Sequence, residues 1–298
     1  MLRIGIVGSD NSHALAYATL LNVERVAGDD ARAVAIWGQD PEHTRNVAFK
    51  GGIETIVTDP SEMLGKVDAV FVEDRHGDLH AEHALPFLEQ GLPVFIDKPL
   101  AISLADMGRL IAAANASGSF LTSFSSLRTD ATTDAIAAQA ASIGQIRVAH
   151  VAGPCDFESV YGGPFFYATH AVEIALGLIG DDLVTVSAAR SGKNVVVTAV
   201  WADETIAAIA YLSDAKYHFG ATLYGTDGVA SGEILANHDG YRTAIGIILD
   251  GMTSGARPFT DEQMVRPVAA VHAIQQSLAI GGGPVEVAPL IDQAFSTA

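Results

Sequence analysis

The chain has 298 residues, 49% hydrophobic and 17% charged, enough for one large folded domain or two ordinary ones and unlike a disordered chain. Lys+Arg number 17 against 35 Asp+Glu, a formal net charge of −18, and a surface that acidic repels phosphate backbones, which argues against nucleic-acid binding. The single cysteine, Cys155, excludes an internal disulfide, and no apolar window of about 18 residues lacks charges, so neither a disulfide framework nor a membrane-spanning helix is expected.

The opening MLRIGIVG enters a strand pattern at once, without the layout of a secretory signal. With the lone cysteine, this predicts a cytoplasmic protein without a membrane partner. An apolar run at 4–7 ends at Gly8, and a helical stripe with Leu15, Ala18, Leu20 and Leu21 follows. A second buried run covers 33–37, and Pro41 then opens a helix, a favoured first-turn place for proline. A third strand is predicted at 67–72. The helix at about 79–90 has Ala81, Ala84, Leu85 and Leu88 on one face. Pro86 removes a hydrogen bond to the Glu82 carbonyl there, which predicts a kink or a shifted start. A strand at 94–96 follows. Ser103 with Asp106 resembles a capping box for a helix whose stripe is Leu104, Met107, Leu110, Ile111 and Ala114 and which Gly118 stops. A fifth strand is predicted at 120–124.

Past residue 125 the rhythm changes. A helix at 132–142, a strand at 146–152 and a helix at 170–179 precede five strand runs, at 184–189, 195–201, 205–212, 218–224 and 229–235. Ser191-Gly192, Ala202-Asp203 and the turn from Gly225 to Gly228 separate them with turn chemistry, so an antiparallel meander is predicted. Helices near 240–254 and 261–280 close the chain. The fold class is therefore α/β: a Rossmann-like parallel-sheet domain over 1–124 and an α+β domain with a mainly antiparallel open sheet over 125–298.

A dinucleotide fold binds pyrophosphate at its first strand-to-helix turn, where glycines admit the backbone and a helix N-terminus supplies donors. Here that turn reads Gly8, Ser9, Asp10, Asn11, Ser12, His13, and only the first glycine of G-x-G-x-x-G is present. Asp10 or Ser12 is expected to cap its own helix, and His13 either contacts phosphate or caps. The second strand ends at Gly38, where a ribose-holding acid would stand, with Asp40 two residues on. At the exit of the 94–96 strand stand Asp97, Lys98 and Pro99. Proline restrains Lys98 to an extended backbone, and an ammonium fixed there can stabilise the negative charge that builds on an oxygen during hydride transfer.

At these residues the sequence resembles the glucose–fructose oxidoreductase / inositol dehydrogenase family, whose members carry Glu-Lys-Pro after a strand of this pattern. The matching residues are Gly91, Val94 and Asp97-Lys98-Pro99-Leu100, then His80 to Ala84, the stretch from Gly162-Gly163 to Thr169-His170, the glycine turn at 225–228 and the closing residues 284–287. The resemblance implies a nicotinamide-dependent oxidoreductase, using NAD or NADP, that acts on a sugar, polyol or related polyhydroxy compound. His170 would accept the substrate hydroxyl proton, Glu173 one helical turn along would orient the imidazole, and Lys98 would hold the oxygen. The implied cofactor-binding residues are Gly8, Ser9, Asp10, Asn11, Ser12, His13, Gly38, Asp74, Arg75, His76, His80, Asp97, Lys98 and Pro99. The implied substrate-binding residues are Lys98, Asp156, Tyr161, Tyr167 and His170, and no metal is implied. The family also implies a homodimer or homotetramer through the second sheet.

Three departures shape the alternatives. The glycine fingerprint is degraded, Asp74-Arg75-His76 is charged where the family has a neutral trio, and Phe166 replaces an aspartate four residues before the catalytic histidine. Asp156, Glu158, Tyr161 or Tyr167 would have to stand in for that aspartate. These changes favour a second reading, the same fold with a lost or repurposed cofactor site: a lyase, an isomerase or a sugar-binding protein without redox chemistry. A third reading places a divalent ion on His76, His80 and His83. Phe165, Phe166, Tyr161 and Tyr167 either stack on a sugar face or pack a core. Cys155, with no basic neighbour in sequence, reads as structural.

Overall fold

The computed structural model describes residues 1–296. In chain order the first half runs β1 (Leu2–Val7), α1 (Ser12–Ala18), β2 (Ala31–Trp37), α2 (Pro41–Gly51), β3 (Thr55–Ile56), β4 (Ala69–Val72), α3 (His80–Leu88), β5 (Val94–Ile96), α4 (Leu104–Ser117) and β6 (Leu121–Thr122). The second half runs α5 (Ala131–Ala140), β7 (Ile146–Pro154), α6 (Ala168–Ile179), β8 (Leu183–Ser191), β9 (Asn194–Trp201), β10 (Ile206–Leu212), β11 (Phe219–Gly225), β12 (Val229–Ile234), α7 (His238–Ser254), α8 (Asp261–Ala279), β13 (Val285–Glu286) and α9 (Ala288–Ser296). Two compact units result. Residues 1–124 and 241–261 make the front unit; residues 125–240 and 262–296 make the second. No helix among the described residues is long and apolar enough to cross a membrane.

The front unit is built on a six-stranded sheet in the order β3-β2-β1-β4-β5-β6, parallel throughout. Every residue of β4 and β5 is buried, as sheets covered on both faces require. Strand order reverses between β1 and β4, which opens a crevice at their carboxyl ends. Tyr17 on α1 is nearly fully buried, and its ring meets Phe71, Phe95 and Tyr241 edge-on at 5.7 Å each. Ala244, Ile245, Ile248 and Met252 of α7 belong to the same core cluster, so a late segment completes an early domain. Helix α3 contains Pro86 without ending there, and a 3₁₀ turn at Gly77–Leu79 leads directly into it. Asp40 caps α2 through the amides of Glu42 and His43, with Pro41 at the first position.

The second unit carries a seven-stranded sheet in the order β12-β11-β7-β10-β9-β8-β13. This corrects the simple meander. β7 lies between β11 and β10, antiparallel to the first and parallel to the second. Ile206 pairs with Val148 across nearly sixty residues of sequence, and such a pairing leaves no local turn signal to read. One sheet face is buried under α6, which packs on β7 and β10. The other is exposed at Val148, Val196, Ile206, Tyr224 and Val229; Val148 is the cross-strand partner of both Ile206 and Tyr224.

Candidate functional site

The crevice of the front unit is assembled from three strand exits. At the first, Gly8 has φ +94°, and a Cβ there would lie 2.5 Å from the Asp74 amide nitrogen. Glycine is thus required for β1 and β4 to close to backbone contact. Ser9 is buried and its hydroxyl shares a 2.9 Å hydrogen bond with that of Thr44. A Cβ on Gly38 would come within 2.0 Å of the Ser9 Oγ, so no acidic side chain fits at the end of β2. Asp40 is engaged in capping and offers no substitute.

The helix cap differs from expectation. Asn11, not Asp10 or Ser12, is the N-cap of α1: its side-chain oxygen accepts from the His13 amide at 3.3 Å. Its amide group simultaneously donates to Asp97 Oδ2 at 2.8 Å, a use the sequence does not display because the partner is 86 residues away. Asp10 instead accepts from the Arg75 amide at 3.3 Å. Partial burial raises its carboxyl pKa in spite of that bond. Ser12 is exposed at the first position of α1. His13 turns inward, with Nδ1 2.9 Å from Asp97 Oδ2 and its ring 4.8 Å from that of Tyr241.

At the exit of β4, Glu73 and Asp74 are both buried. Asp74 accepts from the Gln39 amide group at 2.6 Å and pairs with His83 Nδ1 at 2.7 Å. Burial opposes the charged imidazole of His83, but the Asp74 bond and charge outweigh it and raise the pKa. His80, fully buried, ties two exits together: Nδ1 lies 2.7 Å from the Pro99 carbonyl and Nε2 2.9 Å from the Asp74 carbonyl. His76 Nδ1 accepts from the Asp78 amide at 3.3 Å. The three histidines therefore serve three different sets of partners and do not converge on an ion.

At the exit of β5, Asp97 and Lys98 are 2% and 5% exposed and a cis bond joins Lys98 to Pro99. Burial would raise the Asp97 carboxyl, but the charges of His13 and Lys98 and the contact with His13 outweigh it, so it ionises well below the usual range. Glu73 behaves oppositely. Burial, then the neighbouring charge of Asp97, push its carboxyl well above the usual range, and neither of its oxygens has a hydrogen-bond partner among the described residues. Glu73 is not among the site residues picked out from the sequence.

In the second unit, α6 carries His170 and Glu173, both buried. Their link is Ser125, also missed from sequence. Its hydroxyl lies 2.7 Å from His170 Nδ1, while its backbone N–H donates to both Glu173 oxygens at 2.9 Å. Tyr167 meets His170 edge-on at 5.3 Å, and Tyr161 lies 5.2 Å from Phe166. Tyr217, not anticipated, packs against Tyr167 and Phe219, and burial with the neighbouring Tyr167 raises its phenol pKa. Asp156 is exposed and accepts from the Glu158 amide at 2.9 Å. Cys155 is buried, its thiol pushed up to about 12 by burial and by Asp156.

Residues 2–124 match the model of an oxidoreductase family described as an NAD-binding Rossmann fold. Inositol 2-dehydrogenase 1 of Saccharopolyspora erythraea is 37% identical over 114 residues, 37% of this chain and 32% of that one. A 1-carboxy-3-chloro-3,4-dihydroxycyclohexa-1,5-diene dehydrogenase of Comamonas testosteroni is 32% identical over 127 residues, 40% of this chain and 29% of its own. The matched stretch thus spans about a third of each curated relative. The crystal structure of myo-inositol dehydrogenase from Lactobacillus casei with NAD(H) and myo-inositol superposes with a TM-score of 0.82 at 15% identity, covering 96% of both chains, a likeness of fold.

Of the fingerprint's glycines, Gly8 keeps the tight-turn role: a Cβ there would meet the Glu73–Asp74 backbone, so the β1 and β4 exits close on each other. At the end of β2, where a ribose-holding acid would stand, Gly38 and Gln39 themselves bring neither a carboxylate nor a guanidinium.

Proposed function

We propose that the chain is a nicotinamide-dependent oxidoreductase that moves a hydride between NAD or NADP and a ring-shaped sugar, polyol or related polyhydroxy compound. The observation that carries the reading is Lys98, buried at the exit of β5 in a unit whose sequence matches an NAD-binding family. When bound, the nicotinamide supplies the hydride acceptor or donor. The turn that follows Gly8 would hold the dinucleotide through its backbone, and the Asp10, Asn11 and His13 side chains, engaged elsewhere, would shape it from below. The Lys98 ammonium would steady the substrate oxygen as negative charge builds on it. His170, held by Ser125 and, through Ser125, by Glu173, would take the hydroxyl proton. Tyr161, Tyr167 and Asp156 would contact the substrate. The exposed apolar face around Val148, Ile206 and Tyr224 supports a homodimer or homotetramer through the second sheet, and the lone buried Cys155 supports a cytoplasmic address.

Turnover of a panel of cyclic polyols and sugars with NAD and with NADP tests this. Lys98→Ala is expected to lower kcat/KM by about 100- to 1,000-fold, the cost of removing one group that stabilises a developing oxyanion. An unaltered kcat/KM in that variant would sink the assignment. A second reading, a non-redox protein on the same fold, is favoured by the missing ribose contact at Gly38, and it predicts that no dinucleotide binds.

A further inference from the structure

Glu73, Asp97 and His13 come from three separate chain segments: the exit of β4, the exit of β5 and the first turn of α1. Each offers one potential ligand atom, and these atoms all lie within 4.8 Å of one another. The approach of His13 to Asp97 is unusual. Nδ1 is 2.9 Å from Oδ2, yet the buried nitrogen makes no aligned hydrogen bond to it. Two potential ligand atoms this close, yet out of line for a hydrogen bond, have the spacing of ligands on one common atom. Ligands at about 2.0–2.2 Å from one cation stand roughly 3 Å apart. Glu73 adds the independent sign: it is 0% exposed, and both carboxyl oxygens are buried without a partner among the described residues, at the cost that burial of an unpaired polar group carries.

We infer that His13, Glu73 and Asp97 form a binding site for one divalent first-row transition-metal ion, with an imidazole nitrogen and two carboxylates as ligands. This donor set suits zinc or manganese better than calcium, which prefers an all-oxygen cage. The surroundings match a metal site's outer layer. Asn11 donates to Asp97 Oδ2 at 2.8 Å and fixes the carboxylate's orientation. Charge also favours a cation: Glu73 and Asp97 set two buried carboxylates against the single ammonium of Lys98, 5% exposed. The ligands sit on strand ends and a helix start, so the site is rigid, and the ion would clamp the altered first turn to the β4 and β5 exits. The glycine-poor turn, unexplained by dinucleotide binding alone, thereby acquires a role. The inference stands apart from the redox reading, because the ion is placed by protein ligands only.

The full chain, stripped with a chelator, would be equilibrated with zinc chloride, manganese chloride or cobalt chloride, freed of loose metal by gel filtration, and assayed by plasma mass spectrometry. One equivalent of zinc or manganese per chain is expected, with a cobalt absorption spectrum characteristic of protein ligation and a metal-dependent rise in melting temperature. Glu73→Gln, His13→Ala and Asp97→Asn, each checked for folding by circular dichroism, are expected to weaken binding by at least tenfold. Glu73→Asp, which keeps a carboxylate, is expected to retain more affinity than Glu73→Gln. Less than about a tenth of an equivalent in the wild-type protein with all three ions would overturn the inference. So would metal content unchanged in all three ligand variants, which would mark an ion held elsewhere on the surface.

Discussion

His13 in the front unit and His170 in the second each stand near buried carboxylates, and the two units arrange them differently. In the second unit, Ser125 mediates: its hydroxyl faces His170 and its amide satisfies both oxygens of Glu173. In the front unit, His13 and Asp97 touch without an aligned bond, and the Glu73 carboxyl oxygens beside them have no hydrogen-bond partner among the described residues. A matched set holds an imidazole in one orientation, as a proton-transfer group requires. A mismatched set, its two carboxylates buried and its imidazole half-buried, points its atoms at a shared centre. Geometry, rather than the mere presence of histidine and acid, separates the two roles.

The largest expected effect falls on the matched set. His170→Ala should lower kcat by about 100- to 10,000-fold, the range for loss of a positioned acid–base group, with metal content unaltered. Steady-state kinetics beside metal analysis checks both halves; a loss of metal with turnover intact would invert the comparison. Next comes the core that supports the front exits. Tyr17→Ala removes an aromatic ring packed against Phe71, Phe95 and Tyr241 and should cost about 3–5 kcal/mol of stability, read by denaturant unfolding. Ser125→Ala keeps the amide that serves Glu173 and deletes the hydroxyl that serves His170. A loss of about 1–3 kcal/mol in kcat/KM, with little change in melting temperature, would show that the hydroxyl positions the base. The smallest effect concerns Cys155. Its thiol, pushed up to about 12, should react with a disulfide reagent at pH 8 only after unfolding.

Much of the fold was legible because strand and helix periods are local. The continuous runs at β4 and β5, Pro41 at the start of α2 and Gly118 at the end of α4 each announce themselves within a few residues. What was illegible involves distance along the chain. The insertion of β7 between β10 and β11 and the addition of α7 residues to the front core depend on partners over fifty residues away. The site divides the same way. Lys98 is visible from its strand and the following proline. Asn11 as cap and clamp, Ser125 as mediator and Glu73 as an unpartnered acid become visible only when separate exits are brought together.

The role assigned to the crevice between β1 and β4 is tested most directly by calorimetric titration of the purified protein with NAD, NADH, NADP and NADPH in turn. The account predicts saturable one-to-one binding of one oxidised and reduced pair, weakened when Gly8→Val fills the backbone contact with Asp74. Absence of binding by all four dinucleotides would contradict it.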